Sequence, residues 1–428
     1  MILTGCTTNN DMTDQTDNLL IAPDAKQIEE KITTHGDTRI DNYFWMRLSD
    51  EEKNAETPSD KTQDVLDYLN AENGYLKESM VHTETFQENL YDEIVGRIKQ
   101  DDESVPVTHN GYSYYSRFEE GEDYAFYCRK KVEDGATEEI MLNGPEMGKD
   151  QSYFAIGGKT VSEDNQLLAY SVDLISRRQY TIHIKNLETG EILSDIIENT
   201  SGGITWANDN KTIFYTKMDP QTLRSNQIYS HVIGTESSDD KLVFEEVDET
   251  FGCGVFKTKS REYLMIASYQ TLSTEYRFLD ANNPGGEWRI IQPRERDLEY
   301  SVDHYGDHFY ITTNHEAKNF RLVKTEVDRT EKENWEEVIP NRADVLLEGI
   351  DIFKNQLVVT ERKNGLSQLR VINWNDQSEH YIEFNDPAYT AYTFGNPEFD
   401  TEILRFGYTS LTTPNTVYDY GMISKERV

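Results

Sequence analysis

Apolar positions follow two different periods along the chain, and the change falls near Lys99. Before it, Val65, Leu66, Leu69, Leu76 and Met80 recur at helical spacing, as do Phe86, Leu90, Ile94, Val95 and Ile98. Each set gathers its apolar side chains on one stripe, which predicts two amphipathic helices that pack against a partner surface. Thr85-x-x-Glu88 offers the second helix a capping box. Residues 1–22 read as a polar, disordered leader, and Pro23 to about Pro58 as irregular chain.

Beyond Lys99 the apolar runs shorten and alternate. Strand pairs rich in Tyr, Phe, Val and Ile are separated by Gly, Asn and Asp turns. One unit runs from Gly111 through Tyr112-Ser113-Tyr114-Tyr115 to Tyr124-Ala125-Phe126-Tyr127. Another joins Leu167–Val172 to Tyr180–Ile184 and ends on the turn Glu188-Thr189-Gly190-Glu191. Units open near Gly111, Leu167, Lys211, Glu262, Asp307, Asn355 and Glu402, at intervals of 44 to 56 residues. A period of roughly 40–50 residues with several short strands marks the blade of a β-propeller. A lone blade exposes both faces, and closing a ring lets neighbours bury them. The expected fold is all-β: a seven-bladed, four-stranded β-propeller over residues 101–428, behind a helical lead-in over residues 23–100.

Composition agrees with a β-rich fold. Only 36% of the 428 residues are hydrophobic, yet 11% are aromatic, with 26 Tyr and 17 Phe. The formal charge of −37 argues against nucleic acid; it reads first as a well-solvated acidic surface, and otherwise as one that draws cationic ligands such as basic peptides. Cys6, Cys128 and Cys253 lie too far apart for a disulfide framework or a zinc site, and the latter two read as buried strand residues. No apolar run reaches the length of a membrane span. Leu3-Thr4-Gly5-Cys6 has the form of a bacterial lipoprotein cleavage site with Cys6 as the lipidated residue, followed by a polar tether. Only Met1-Ile2-Leu3 precede it, so either the true start lies upstream or the match is chance. The first case places the protein at the bacterial cell envelope, with the membrane reached only through Cys6; the second leaves it cytoplasmic.

A search for chemistry returns mainly absences. A nucleophile elbow needs Gly-x-Ser-x-Gly, because small flanks permit the strained turn that exposes the serine. Gly144 and Gly148 have that spacing, but Glu146 stands between them. His315-Glu316 lacks the second histidine of H-E-x-x-H, and Gly252-Cys253-Gly254 lacks the third glycine of a dinucleotide fingerprint. His304 and His308 flank Tyr305-Gly306-Asp307, a hairpin turn read as solvated. No catalytic, cofactor-binding or metal-binding residue is assigned, and no cofactor is expected. Arg177-Arg178 and Arg294-Glu295-Arg296-Asp297 read as structural salt-bridge formers at strand ends.

The residues also resemble a known family. His35-Gly36-Asp37-Thr38-Arg39 with Asp41, Tyr43, Trp45 and Arg47 looks like the lead-in of the prolyl oligopeptidase family. Its oligopeptidase B branch is resembled by Arg117-Phe118-Glu119, by Asp173 with Arg177-Arg178-Gln179-Tyr180, and by Trp206-Ala207-Asn208-Asp209. Gln292-Pro293-Arg294-Glu295-Arg296-Asp297, Leu346-Leu347-Glu348-Gly349 and Thr413-Pro414 continue it to the end of the chain. The resemblance implies a propeller that caps an α/β-hydrolase domain carrying a Ser-Asp-His triad, with cleavage of short peptides after Lys or Arg. On that implication the chain ends before the hydrolase domain, no triad residue is carried over, and its own role is to gate substrate size and support the catalytic domain. The partners implied are that hydrolase domain and short basic peptides. A free-standing propeller that binds a peptide or protein without catalysis is the alternative.

Overall fold

The structure, a computed structural model, describes residues 20–428, so Cys6 and most of the leader lie outside the described residues. Those residues divide between Lys99 and Gln100 into two units.

In the first unit the segment read as irregular is partly ordered. Glu30–Thr34 pairs antiparallel with Asp37–Asp41. His35 and Gly36 turn the corner at φ of 55° and 82°, the doubly positive geometry of a tight hairpin. The capping box stands at a helix the periodicity missed. Ser49 accepts from Glu52 N–H while the Glu52 carboxylate accepts from Ser49 N–H, starting Asp50–Asn54. Ser59 caps the long helix Asp60–Met80 by accepting from Thr62 N–H. The helix Glu84–Val95 begins after Thr83 with no side-chain cap, so the expected Thr85/Glu88 box is corrected: Thr85 already lies inside the first turn. Much of the apolar stripe faces solvent, with Leu76 59% and Phe86 66% exposed.

The second unit is all β apart from short helical turns. Successive sheets stack face to face, and apolar clusters sit between them. Met265, Phe278, Phe309 and Ile311 join one pair of sheets; Leu322, Ile339, Leu357 and Val359 join the next. Val358, Leu369, Leu404 and Phe406 join another, and Leu142, Phe154, Leu168 and Tyr170 seal the first junction. At about 1.5–3 kcal/mol for each fully buried side chain, these interfaces are what hold the ring.

The count of seven four-stranded blades is corrected. Five sheets stand as separate blades: residues 107–143, 252–290, 300–339 and 345–381 with four strands each, and residues 389–421 with three. Residues 155–245 form one continuous seven-stranded sheet. The cause is a single 15-residue strand, Ile192–Trp206. It pairs with Tyr180–Asn186 along its first part and with Thr212–Met218 along its second, and Thr200 is partnered by both Tyr180 and Lys217. Register shifts flank Thr200, where the strand passes from one set of partners to the other. Gly202, at φ 91°, supplies a backbone conformation that an L side chain resists, and a Cβ there would meet the Tyr180 ring at 2.9 Å.

Candidate functional site

Each sheet is a meander of antiparallel neighbours, so its first strand is an edge strand, and these leading strands face one another. Together they line a cavity of about 720 Å³. Its wall takes His109 from Val107–His109, Thr160 and Val161 from Ala155–Val161, and Ile204–Trp206 from the long strand. Phe256 and Lys257, Val302 and Asp303, and Ile350 and Asp351 complete it from the next three leading strands. Consecutive residues of a strand point to opposite sides of its sheet, and at these strand ends both members of a pair such as Phe256 and Lys257 reach the cavity.

The cavity is rich in paired charge. Lys257 Nζ lies 2.5 Å from Glu163 and 2.8 Å from the Asn208 side-chain oxygen. Arg261 pairs with the other oxygen of Glu163. Lys259 Nζ lies 2.6 Å from Asp351 and 3.3 Å from the centroid of the Phe353 ring, so one ammonium meets a carboxylate and a π face. Glu398 accepts from Asn110 N–H and lies 3.7 Å from His109 Nδ1. Burial pushes Lys257 down to about 8, and pushes Lys259 below and Asp351 above their ordinary values. Asp303 is pushed up to about 6 by burial, against backbone N–H donors from His304 and Lys259. Desolvation holds His109 low.

The two ends of the channel differ. Where the leading strands finish, hairpins such as 162–166 and 258–262 carry these charges. At the opposite end, hairpins and links expose apolar side chains: Leu174, Ile175, Val247, Leu272 and Leu411, the last 97% exposed.

The sequence-singled residues disperse. Cys128 and Cys253 are buried free thiols. Gly144–Gly148 forms a short helix in which the Asn143 side chain accepts from Glu146 N–H. Arg294 does form structural bridges, to Glu246 at 2.6 Å and Glu275 at 3.4 Å. Arg177 and Arg178 do not: both are exposed, and among the described residues neither side chain forms an ion pair. Their loop is held instead by Asp173, which accepts from the N–H groups of Ile175, Ser176 and Arg178. The solvated-turn reading of His304 is also corrected. Its ring is fully buried against Tyr263 and Phe309, with Nδ1 2.9 Å from Ser260 Oγ. Its strand alternates inward and outward, and His304 falls on the inward side. Sequence reasoning missed Glu163, Lys257, Lys259 and Asp351, and set Asp303 aside with His304 as a solvated turn, because no spacing relates residues that meet only between sheets. Among the described residues no metal-binding cluster is present.

A β unit whose sheets stack with their leading strands around one cavity is a β-propeller. The chain belongs to the prolyl oligopeptidase family: residues 23–428 match its N-terminal β-propeller domain. It is 40% identical over 409 residues to dipeptidyl aminopeptidase BI of Pseudoxanthomonas mexicana, covering 92% of this chain and 55% of that protein. It is 30% identical over 413 residues to Protease 2 of Moraxella lacunata, covering 95% of this chain and 57% of that one. Among solved structures, oligopeptidase B from Leishmania major superposes with a TM-score of 0.87 at 26% identity, covering 96% of this chain and 60% of that one. The chain thus spans little more than half the length of the relatives it matches.

Proposed function

We propose that this chain is the substrate-gating part of an oligopeptidase B-like serine peptidase that cleaves short peptides after Lys or Arg. The observation that carries the reading is the 720 Å³ channel, whose wall holds the carboxylates of Glu163, Asp303 and Asp351. A lumen of that size excludes folded proteins, and its carboxylates, matched by Lys257, Lys259 and Arg261, become available to a cationic peptide that displaces those partners. Catalysis belongs to a hydrolase portion, since none of the 428 residues forms Gly-x-Ser-x-Gly. The exposed apolar loops around Ile175, Val247 and Leu411 supply a surface for that portion to cover, as does the stripe through Leu76 and Phe86. Attachment to a bacterial membrane through Cys6 is part of the proposal, and intact mass of the protein recovered from its source membrane tests it.

The activity test uses two samples. The purified chain alone is expected to leave Arg- and Lys-amide substrates intact. Mixed with the portion of the Moraxella lacunata relative that this chain does not cover, it is expected to yield hydrolysis blocked by a serine-directed phosphonate. Phosphonate-sensitive turnover by the chain alone, or none in the mixture, overturns the reading.

A further inference from the structure

The ion pairs of the channel do not join nearest neighbours. Lys259 belongs to the sheet of residues 252–290 and Asp351 to that of residues 345–381, and the whole sheet of residues 300–339 stands between them in ring order. Lys257 likewise reaches Glu163, beyond the leading strand Ala155–Val161, past the lumen-facing end of Ile192–Trp206. Both contacts therefore bridge lumen-lining strands that are second neighbours in the ring, at the end where the leading strands finish. The side chains are held in place: Lys257 is 12% and Lys259 10% exposed, and Glu163 and Asp351 are 20% and 18% exposed.

We infer that Lys257–Glu163 and Lys259–Asp351 form an ionic latch across one mouth of the channel, and that a basic peptide opens it by cation exchange. The inference rests on the proposed function for its choice of ligand, though the latch itself is independent of any activity. A peptide guanidinium takes the place of the Lys259 ammonium on Asp351, and of the Lys257 ammonium on the Glu163 oxygen that Arg261 does not hold. At Asp351 the exchange is favoured because guanidinium presents a planar, bidentate fork to a carboxylate, whereas ammonium is a compact point charge. The released lysine keeps its charge and turns to solvent, so no proton needs to move. The latch thereby acts as a specificity device against neutral peptides, which offer no charge to displace either lysine.

Spin-label distances across the mouth test this on the chain as it stands. Cysteines replace Gln166 and Glu262 in one sample, and Glu262 and Asn355 in another, each in a Cys6→Ser background. Lys259→Met is expected to shift the Glu262–Asn355 distances longer and broaden them, and the charge swap Lys259→Asp with Asp351→Lys to restore them. Glu163→Gln, nearly isosteric, is expected to do the same at the Gln166–Glu262 pair and serves if the methionine variant misfolds. On the unsubstituted latch, an Arg-containing pentapeptide is expected to lengthen both distances, and its citrulline analogue to leave them unchanged. Unmoved distances in both latch variants overturn the latch. Distances that respond to the variants but ignore the arginine peptide, or answer citrulline equally, overturn the cation exchange. Failure of the mixed sample to hydrolyse substrate would remove the enzymatic reading without altering any of these distances.

Discussion

The fully buried imidazole of His231 lies 2.9 Å through Nε2 from Asp195 Oδ1, which joins two strands of the seven-stranded sheet that are not hydrogen-bonded neighbours. Its Nδ1 lies 2.6 Å from Asp240, which also accepts from Tyr215 OH at 2.7 Å, and Gly234 N–H donates to Asp195. His231→Leu would leave two buried carboxylates short of a partner, and breaking such a contact costs about 3–5 kcal/mol. Urea denaturation is expected to show a loss of that order, with Asp195→Asn milder because the amide can still accept from Gly234.

Asp303 and His304 are sequence neighbours with opposite pH linkage. Burial lowers His304 from 6.5 to about 4. Between those values the unfolded chain takes up a proton the native state refuses, so stability rises with pH and is lost as pH falls. Asp303, raised from 3.8 to about 6, holds a native proton that the unfolded chain releases, so its contribution falls as pH rises through that window. Thermal melts from pH 4 to 7 are expected to flatten in the acid limb for His304→Gln and to steepen for Asp303→Asn. Asp303→Asn should also gain about 1–3 kcal/mol at pH 7, where the wild-type carboxylate is charged.

The described thiols should be silent in the native state. Burial pushes Cys128 up to about 11 and Cys253 up to about 12, so neither presents a thiolate at pH 8. In a Cys6→Ser background, reaction with an aromatic disulfide is expected only after denaturant unfolds the sheets. Fast native labelling of Cys253 would contradict its place in the core beside Phe214 and Leu264.

Exposure of the helical stripe predicts local weakness. In Asp60–Met80 only Thr62 and Val65 are buried, and in Glu84–Val95 nothing is. Hydrogen exchange is expected to be faster across residues 60–95 than in the central strands of the sheets, such as Tyr263–Gln270. Leu76→Ser and Phe86→Ser should change stability by no more than about 0.5 kcal/mol, while reducing self-association. Strong protection of residues 60–95 in a monomer would overturn this account.

What the sequence determined by itself is local. Helical period at Leu66–Met80 and Phe86–Val95, and short aromatic strands between Gly and Asn turns, follow from spacing alone, because each depends on neighbours a few positions away. The family was legible in the same way, from ordered motifs such as His35–Arg39. Capping was misplaced because Ser49-x-x-Glu52 precedes no long apolar stripe to draw attention to it. The sheet count was beyond the pattern: an unbroken Ile192–Trp206 has the same apolar rhythm as two shorter strands, and only pairing on both sides of Thr200 shows that it continues. The channel was further out of reach. Lys259 and Asp351 are 92 residues apart and meet only because the stacking of three successive sheets brings their strand ends to one mouth. Side-chain direction has a period of two residues, but which strand ends meet depends on the stacking of every sheet between them.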